Sequence, residues 1–201
     1  MWRGERRLDI VQVGDPLLRS VSRALTAEEI RSGEVQRLIA DMRHTMRKAP
    51  GVGLAAPQVG RGLRLVVVED RPEYQSRLSA TRLAVLDRAP VPFQVLINPR
   101  LEIDDATEVE HFEGCLSVHD LRGLVKRARA VTVHGLDERG MPVTVRASGW
   151  HARILQHEVD HLEGCLCIDR MDPRTICTVS NYARFWADCP AEEVRRRLGQ
   201  P

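Results

Sequence analysis

His157-Glu158-Val159-Asp160-His161 sets two imidazoles four residues apart, with a carboxylate beside the first. On a helix, positions four apart stand one above the other, so both rings leave the same face and can reach one cation. Glu158, one residue along, is placed to reach a water on that cation. Extending the stripe backwards adds Trp150 and Ile154, which puts the rings on the apolar, core-facing side. Polar groups are costly there without a partner. A divalent metal supplies one, and the chemistry that follows is metal-dependent hydrolysis. The plain alternative is a pair of ordinary helix histidines next to a chance glutamate.

Such a site needs a further ligand. No histidine follows His161; Glu192 and Glu193 lie downstream, and Glu163 is too close in sequence to turn back onto the same ion. The stronger candidate is upstream: Cys115, in Glu113-Gly114-Cys115-Leu116-Ser117. A thiolate is a soft, anionic ligand suited to zinc or ferrous iron, and a neighbouring glycine allows close approach of the backbone. Cys165, Cys167, Cys177 and Cys189 read instead as small buried hydrophobes. The glycine-rich stretch 51–60 lacks both the Lys-Ser/Thr ending of a phosphate loop and dinucleotide-fold spacing.

The elements that must position these groups show in the patterning. Thr26-Ala27-Glu28-Glu29 is a capping box, and Val35, Leu38, Ile39, Met42 and Met46 recur behind it at helical spacing, with Gly33 a weak point. Lys48-Ala49-Pro50-Gly51 ends that helix. Leu63 to Glu69 is a buried strand, Arg71 to Pro92 an unpatterned surface excursion, and Gln94 to Ile97 a short strand stopped by Asn98-Pro99. Val131–His134 and Val143–Arg146 alternate around a turn at 137–140, which predicts a hairpin. Ser148 is placed to cap a helix running to about Glu163, with Gly164 as its stop. A last helix begins at Pro190, with Glu192 and Glu193 in its first turn and Arg195-Arg196-Arg197 in its last, matching the helix dipole. The expected fold is α+β: antiparallel or mixed sheets around a central metal-bearing helix, in a single domain spanning 1–201 with a C-terminal tail from about 176.

Composition narrows the function classes. Thirty basic residues face 28 acidic ones, a net charge of +2, which argues against a nucleic-acid partner. Five cysteines, an odd number, without a secretory start predict a reducing cytoplasm and no disulfide framework. No apolar run is long enough to predict a membrane span.

Three segments together carry a resemblance. Gly51-Val52-Gly53-Leu54-Ala55-Ala56-Pro57-Gln58, Glu113-Gly114-Cys115-Leu116-Ser117 and Gln156-His157-Glu158-Val159-Asp160-His161 resemble the three signature motifs of peptide deformylases, in that family's order. Ala147-Ser148-Gly149-Trp150, and the run from Ile168 to Thr175, are similar to the mitochondrial and plastid branch. Lacking a targeting extension, the chain is expected to be a bacterial, cytoplasmic member of it.

The resemblance implies release of formate from the N-formylmethionine of new polypeptides, with transient ribosome contact. Cys115, His157 and His161 would hold one divalent metal: Fe2+ in the cell, with Zn2+, Ni2+ or Co2+ possible in a purified sample. Water would take the fourth position, where a metal lowers its pKa from about 15.7 to about 7. Glu158 would act as general base and then acid. The Gln58 amide and the Leu116 backbone amide would steady the oxyanion. Val52, Gly53 and Gly114 would pair with an extended peptide, and Arg122 matches a basic position of the family. Trp150 and Ile154, with His111 nearby, would wall the methionine pocket. Read from the residues alone, Glu113 is either purely structural or a group that orients Arg122 or a metal ligand. His119-Asp120 stands where many members have proline, and His119 is expected to be exposed. The competing readings are an amidase for another formylated amine, an idle relative that binds ribosomes or nascent chains, and an endopeptidase.

Overall fold

The computed structural model describes residues 5–49, 51–76 and 78–199, so the expectations at residues 1–4 and at Pro50 lie outside the described residues. The Thr26 capping box forms as the sequence predicts. Thr26 Oγ1 accepts from the Glu29 amide at 3.2 Å, and the Glu29 carboxylate accepts from the Thr26 amide at 2.8 Å. The helix it starts, α1 (Ala27–Arg31), is short, because Ser32 adopts an extended backbone and caps a new helix, α2 (Gly33–Lys48), through Val35 N–H. A serine that can cap, next to a poor helix former, splits the one expected helix into two.

Strands β1 (Gly53–Ala55) and β2 (Leu65–Asp70) follow, then short helices α3 (Pro72–Gln75) and α4 (Ala80–Val85). The excursion at 71–92 is therefore partly ordered, and it is tied down: Arg88 chelates Asp70, a fully buried carboxylate, at 2.7 and 2.9 Å. Next come β3 (Val91–Cys115), β4 (Val118–Leu136) and β5 (Pro142–Ser148). Helix α5 (Gly149–Leu162), β6 (Cys177–Thr178), α6 (Val179–Asn181) and α7 (Ala191–Arg197) complete the chain. The sheet runs β1-β2-β3-β4-β5, with β6 on β4, and every one of these pairs is antiparallel.

Asn98-Pro99 does not stop a strand. Asn98 takes a φ of +52° and its side chain bonds Leu25 twice, accepting from Leu25 N and donating to Leu25 O. The register shifts there and β3 continues, since a bulge tolerates both a left-handed asparagine and a proline that cannot donate. The predicted 131–134/143–146 hairpin forms, with Val133 opposite Val145.

Alternation along β2 builds two cores. Leu65 and Val67 face α2 with Leu38, Met42 and Met46, while Val66 and Val68 face α5 with Ile154 and Leu155. The sheet is thus a middle layer, and α5 is buried beneath it. Its start is not capped by the Ser148 hydroxyl; instead the Asp87 carbonyl accepts from Trp150 N–H at 3.1 Å. Gly149, at φ +56°, lies so close to Asp87 that a Cβ would overlap it. The C-terminal tail is anchored too: Val194 is buried against Phe112 and Leu124, and Arg195 bridges Glu110 and Asp172.

Candidate metal centre

Cys115 ends β3, and a two-residue turn, Leu116-Ser117, leads directly into β4, where Val118 pairs with Cys115. Helix α5 presents His157 and His161 to that turn, their ring centroids 5.0 Å apart. Cys115 Sγ lies 3.3 Å from His161 Nε2, and one ligand atom from each of the three residues lies within 4.8 Å of the others. Among the described residues this is the one such convergence of histidine, cysteine or acidic groups. A sulfur and two imidazole nitrogens form a donor set suited to zinc or ferrous iron. His161 Nδ1 and Glu158 Oε2, both buried, have no hydrogen-bond partner among the described residues. The residues fit a bound cation.

Behind His157 lies a charge network. Glu113, 5% exposed, accepts from Arg127 Nε and Nη2 at 2.9 Å each, from Arg153 Nη1 at 2.6 Å and from His157 Nδ1 at 3.1 Å. With Nδ1–H committed to Glu113, His157 Nε2 is left with its lone pair for a metal. Burial pushes the Glu113 carboxyl up, but hydrogen bonds from His157 and Arg127 and their charges outweigh it and hold the pKa well below normal. Burial pulls His157 down, and here too the Glu113 hydrogen bond and the nearby carboxylates win, raising it to about 9, so at neutral pH a cation binds Nε2 by displacing a proton. Arg127 also reaches Asp160, which Arg170 chelates from outside at 2.7 and 2.8 Å. Of the two tasks expected of Glu113, it performs the orienting of a ligand. Arg122 is not its partner; it stacks over Tyr182 at 5.1 Å and packs on Gly114.

On the cleft side, Glu158 is 4% exposed, and burial raises its pKa to about 7. Its Oε1 lies against Gly53, where a methyl group would overlap it, so glycine is required there for space. Gln58 is oriented by its own motif: Oε1 accepts from Ala55 N at 2.8 Å. The amide NH2 therefore points to Cys115 Sγ at 3.4 Å and Ser117 Oγ at 3.2 Å. The Leu116 carbonyl accepts from Gln12 Nε2 at 3.0 Å, pinning the turn. Gly53 lies on β1, an edge strand, while the Val52 carbonyl already accepts from Glu69 N. His119 is exposed, as expected.

Trp150 and Ile154 part company. Trp150 is half-buried under Arg88 at 5.3 Å and 6.3 Å from His111, as its expected neighbourhood requires. Ile154 is 4% exposed and belongs to the core beneath the sheet, so it offers a cleft little surface. Arg153, four residues before His157, lines a cavity of about 380 Å³ with Leu86, Asp87 and His111. Arg127, Arg153 and Asp160 were not singled out from sequence. Arg153 and Asp160 carried a signal, lying four before and three after His157; Arg127 carried none without the β3–β4 register.

The family model described as Polypeptide deformylase matches residues 7–176, most of the chain. The chain belongs to that family. The chain is 49% identical over 183 residues to a chloroplastic peptide deformylase 1A of Solanum lycopersicum, covering 90% of the chain and 66% of the relative's length. It is 41% identical to peptide deformylase 3 of Streptomyces avermitilis, covering 96% of the chain and 84% of the relative. The Acinetobacter baumannii class I type b peptide deformylase, solved bound to Met-Ala-Ser, aligns at a TM-score of 0.74 and 34% identity. That alignment covers 83% of this chain and 99% of that one. No helix among the described residues is long and apolar enough to cross a membrane.

Proposed function

We propose that this deformylase hydrolyses the formamide on the N-terminal methionine of newly made polypeptides, releasing formate. The observation that carries this reading is the buried Glu158 carboxylate, with Oε1 against Gly53 and Oε2 unpartnered, on the helix that presents His157 and His161 to Cys115, with the Gln58 amide turned toward the same sulfur. Cys115, His157 and His161 would hold one divalent ion, which supplies Lewis acidity toward water and the formyl carbonyl. The mixed sulfur and nitrogen donor set supports Fe2+ in the cell, with Zn2+, Ni2+ or Co2+ as substitutes in purified protein.

The protein's own groups do the rest. Glu158 takes a proton from the attacking water and returns it to the amine nitrogen as the C–N bond breaks. A pKa of about 7 suits both halves of that task at neutral pH. The Gln58 NH2 and the Leu116 backbone amide donate to the oxyanion formed on the formyl oxygen. The free edge of β1 at Gly53, with Val52 just before it and Gly114 opposite, binds the peptide as an added strand. Trp150, and any exposed rim of Ile154, flank the methionine side chain, and Arg122 lies near the peptide's path. The peptide bound to the Acinetobacter enzyme supports this substrate class. Deformylases act on nascent formylated chains, so we place this one in a bacterial cytoplasm in transient contact with the ribosome. The test is formate release from formyl-Met-Ala-Ser, acetyl-Met-Ala-Ser and formylated small amines. Formate from the first alone supports the reading; a preference for a small formylated amine overturns it.

A further inference from the structure

We infer that Cys115 and Cys167 form a redox pair, in which peroxide converts the two thiols to a disulfide and so disarms the metal site reversibly. Cys167 opens the single 3-10 turn Cys167–Asp169 that follows α5. It is 1% exposed and packed with Val118, Val125 and Met171, and Cys115 packs against that same cluster. A second cysteine thus packs in the same small cluster as the proposed ligand cysteine. The sequence suggested a passive hydrophobe at Cys167; its position gives it a partner. Cys165 is turned instead toward the Leu166 carbonyl, and Cys177 and Cys189 belong to the separate cluster beneath α7.

The two sulfurs differ in access, which sets the order of events. Cys115 is partly exposed at the cleft and Cys167 is not, so peroxide meets Cys115 first. The Cys115 sulfur attacks one peroxide oxygen, the O–O bond breaks, and a sulfenic acid and one water result. The Cys167 sulfur then attacks the sulfenic sulfur, expelling a second water as the S–S bond forms. Two thiols lose two electrons in total, and one peroxide becomes two waters. A disulfide sulfur carries no negative charge, so the site loses its anionic donor and its hold on a cation. A thiol reductant reverses the bond, whereas sulfinic acid at Cys115 would be permanent.

The part played by Cys115 as a ligand rests on the function proposed above, but the cross-link itself can be read without any activity. Purified full-length protein loaded with zinc is treated with hydrogen peroxide, blocked with N-ethylmaleimide and digested with trypsin without reduction. The expected product joins peptide 101–122 to peptide 154–170, two hydrogens lighter than their sum, with fragment ions placing the link at Cys167. Zinc release should follow the link, and dithiothreitol should restore zinc binding. C165S should give the same link. C167S should give none and should accumulate sulfinic Cys115, with zinc binding not recovered. Sulfinic or sulfonic Cys115 without a link in the wild-type chain, or a link that persists in C167S, would overturn the inference.

Discussion

His157 and His161 stand one turn apart on α5 and face the same point, yet they are held by opposite means. His157 is gripped through Nδ1 by Glu113, itself held by Arg127 and Arg153. His161 has no partner at Nδ1 among the described residues, and burial with the nearby His157 and Arg127 charges drives its pKa well down. One imidazole is positioned by charge and the other by packing. The difference teaches where the site is stiff: the rear wall is a connected ionic lattice, and the cleft side leaves Glu158 and His161 free to answer a cation and a substrate. In such an arrangement, damage behind His157 should appear as lost stability and metal affinity, and damage in the cleft as lost rate.

The largest effect should come from Glu113→Ala, which strands Arg127 and Arg153 in the interior. Breaking a buried ion pair costs about 3–5 kcal/mol, to be read from the urea midpoint. Loss of the His157 orienting bond should also weaken metal binding by roughly 10–100-fold in a chelator competition. Gln58→Ala tests the other side: kcat for formate release should fall by about 10²–10³, equivalent to about 2.7–4 kcal/mol, while stability falls less than in Glu113→Ala, by about 1–3 kcal/mol for the Ala55 amide left unpaired. Equal damage to stability in both variants would erase the proposed contrast.

A smaller effect is set by pH. Burial, with help from the Arg153 and Arg82 charges, lowers His111 from 6.5 to about 4. Between those values the unfolded chain holds a proton that the folded chain does not, so stability falls as pH drops from 6.5 toward 4 and is fully present above 6.5. His111→Gln should flatten that part of the stability–pH curve by an amount on the order of 1 kcal/mol, given the group's partial exposure. The smallest effect belongs to the rim of the lattice. Arg170 reaches Asp160 from a half-exposed position, so Arg170→Ala should cost no more than about 1 kcal/mol in the same denaturation assay.

The sequence carried the chemistry more fully than the frame. The histidines, Glu158, Cys115 and Gln58 sit in short segments whose spacing or local bonding is self-contained; the histidines, Cys115 and Gln58 converge, and Glu158 is buried on the same helix. The α5 and β4–β5 elements were legible because period and turn chemistry agree there. The long β3 was not, since Asn98-Pro99 signals a stop unless one knows that Asn98 will bond Leu25. Arg127 and Cys167 were hidden for the same reason: each acts on a residue far away in sequence, through a register or a docking that no local pattern encodes. Ile154 shows the limit of apolar periodicity, which marks a buried face without saying whether core or cleft covers it.

The most direct measurement compares Glu158→Ala with the wild-type chain, both loaded with one metal and verified by elemental analysis, on a short formyl-Met peptide. Unchanged metal content with formate release lowered by about 10²–10⁴ is the predicted result. A metal-replete Glu158→Ala protein that releases formate at the wild-type rate would contradict it.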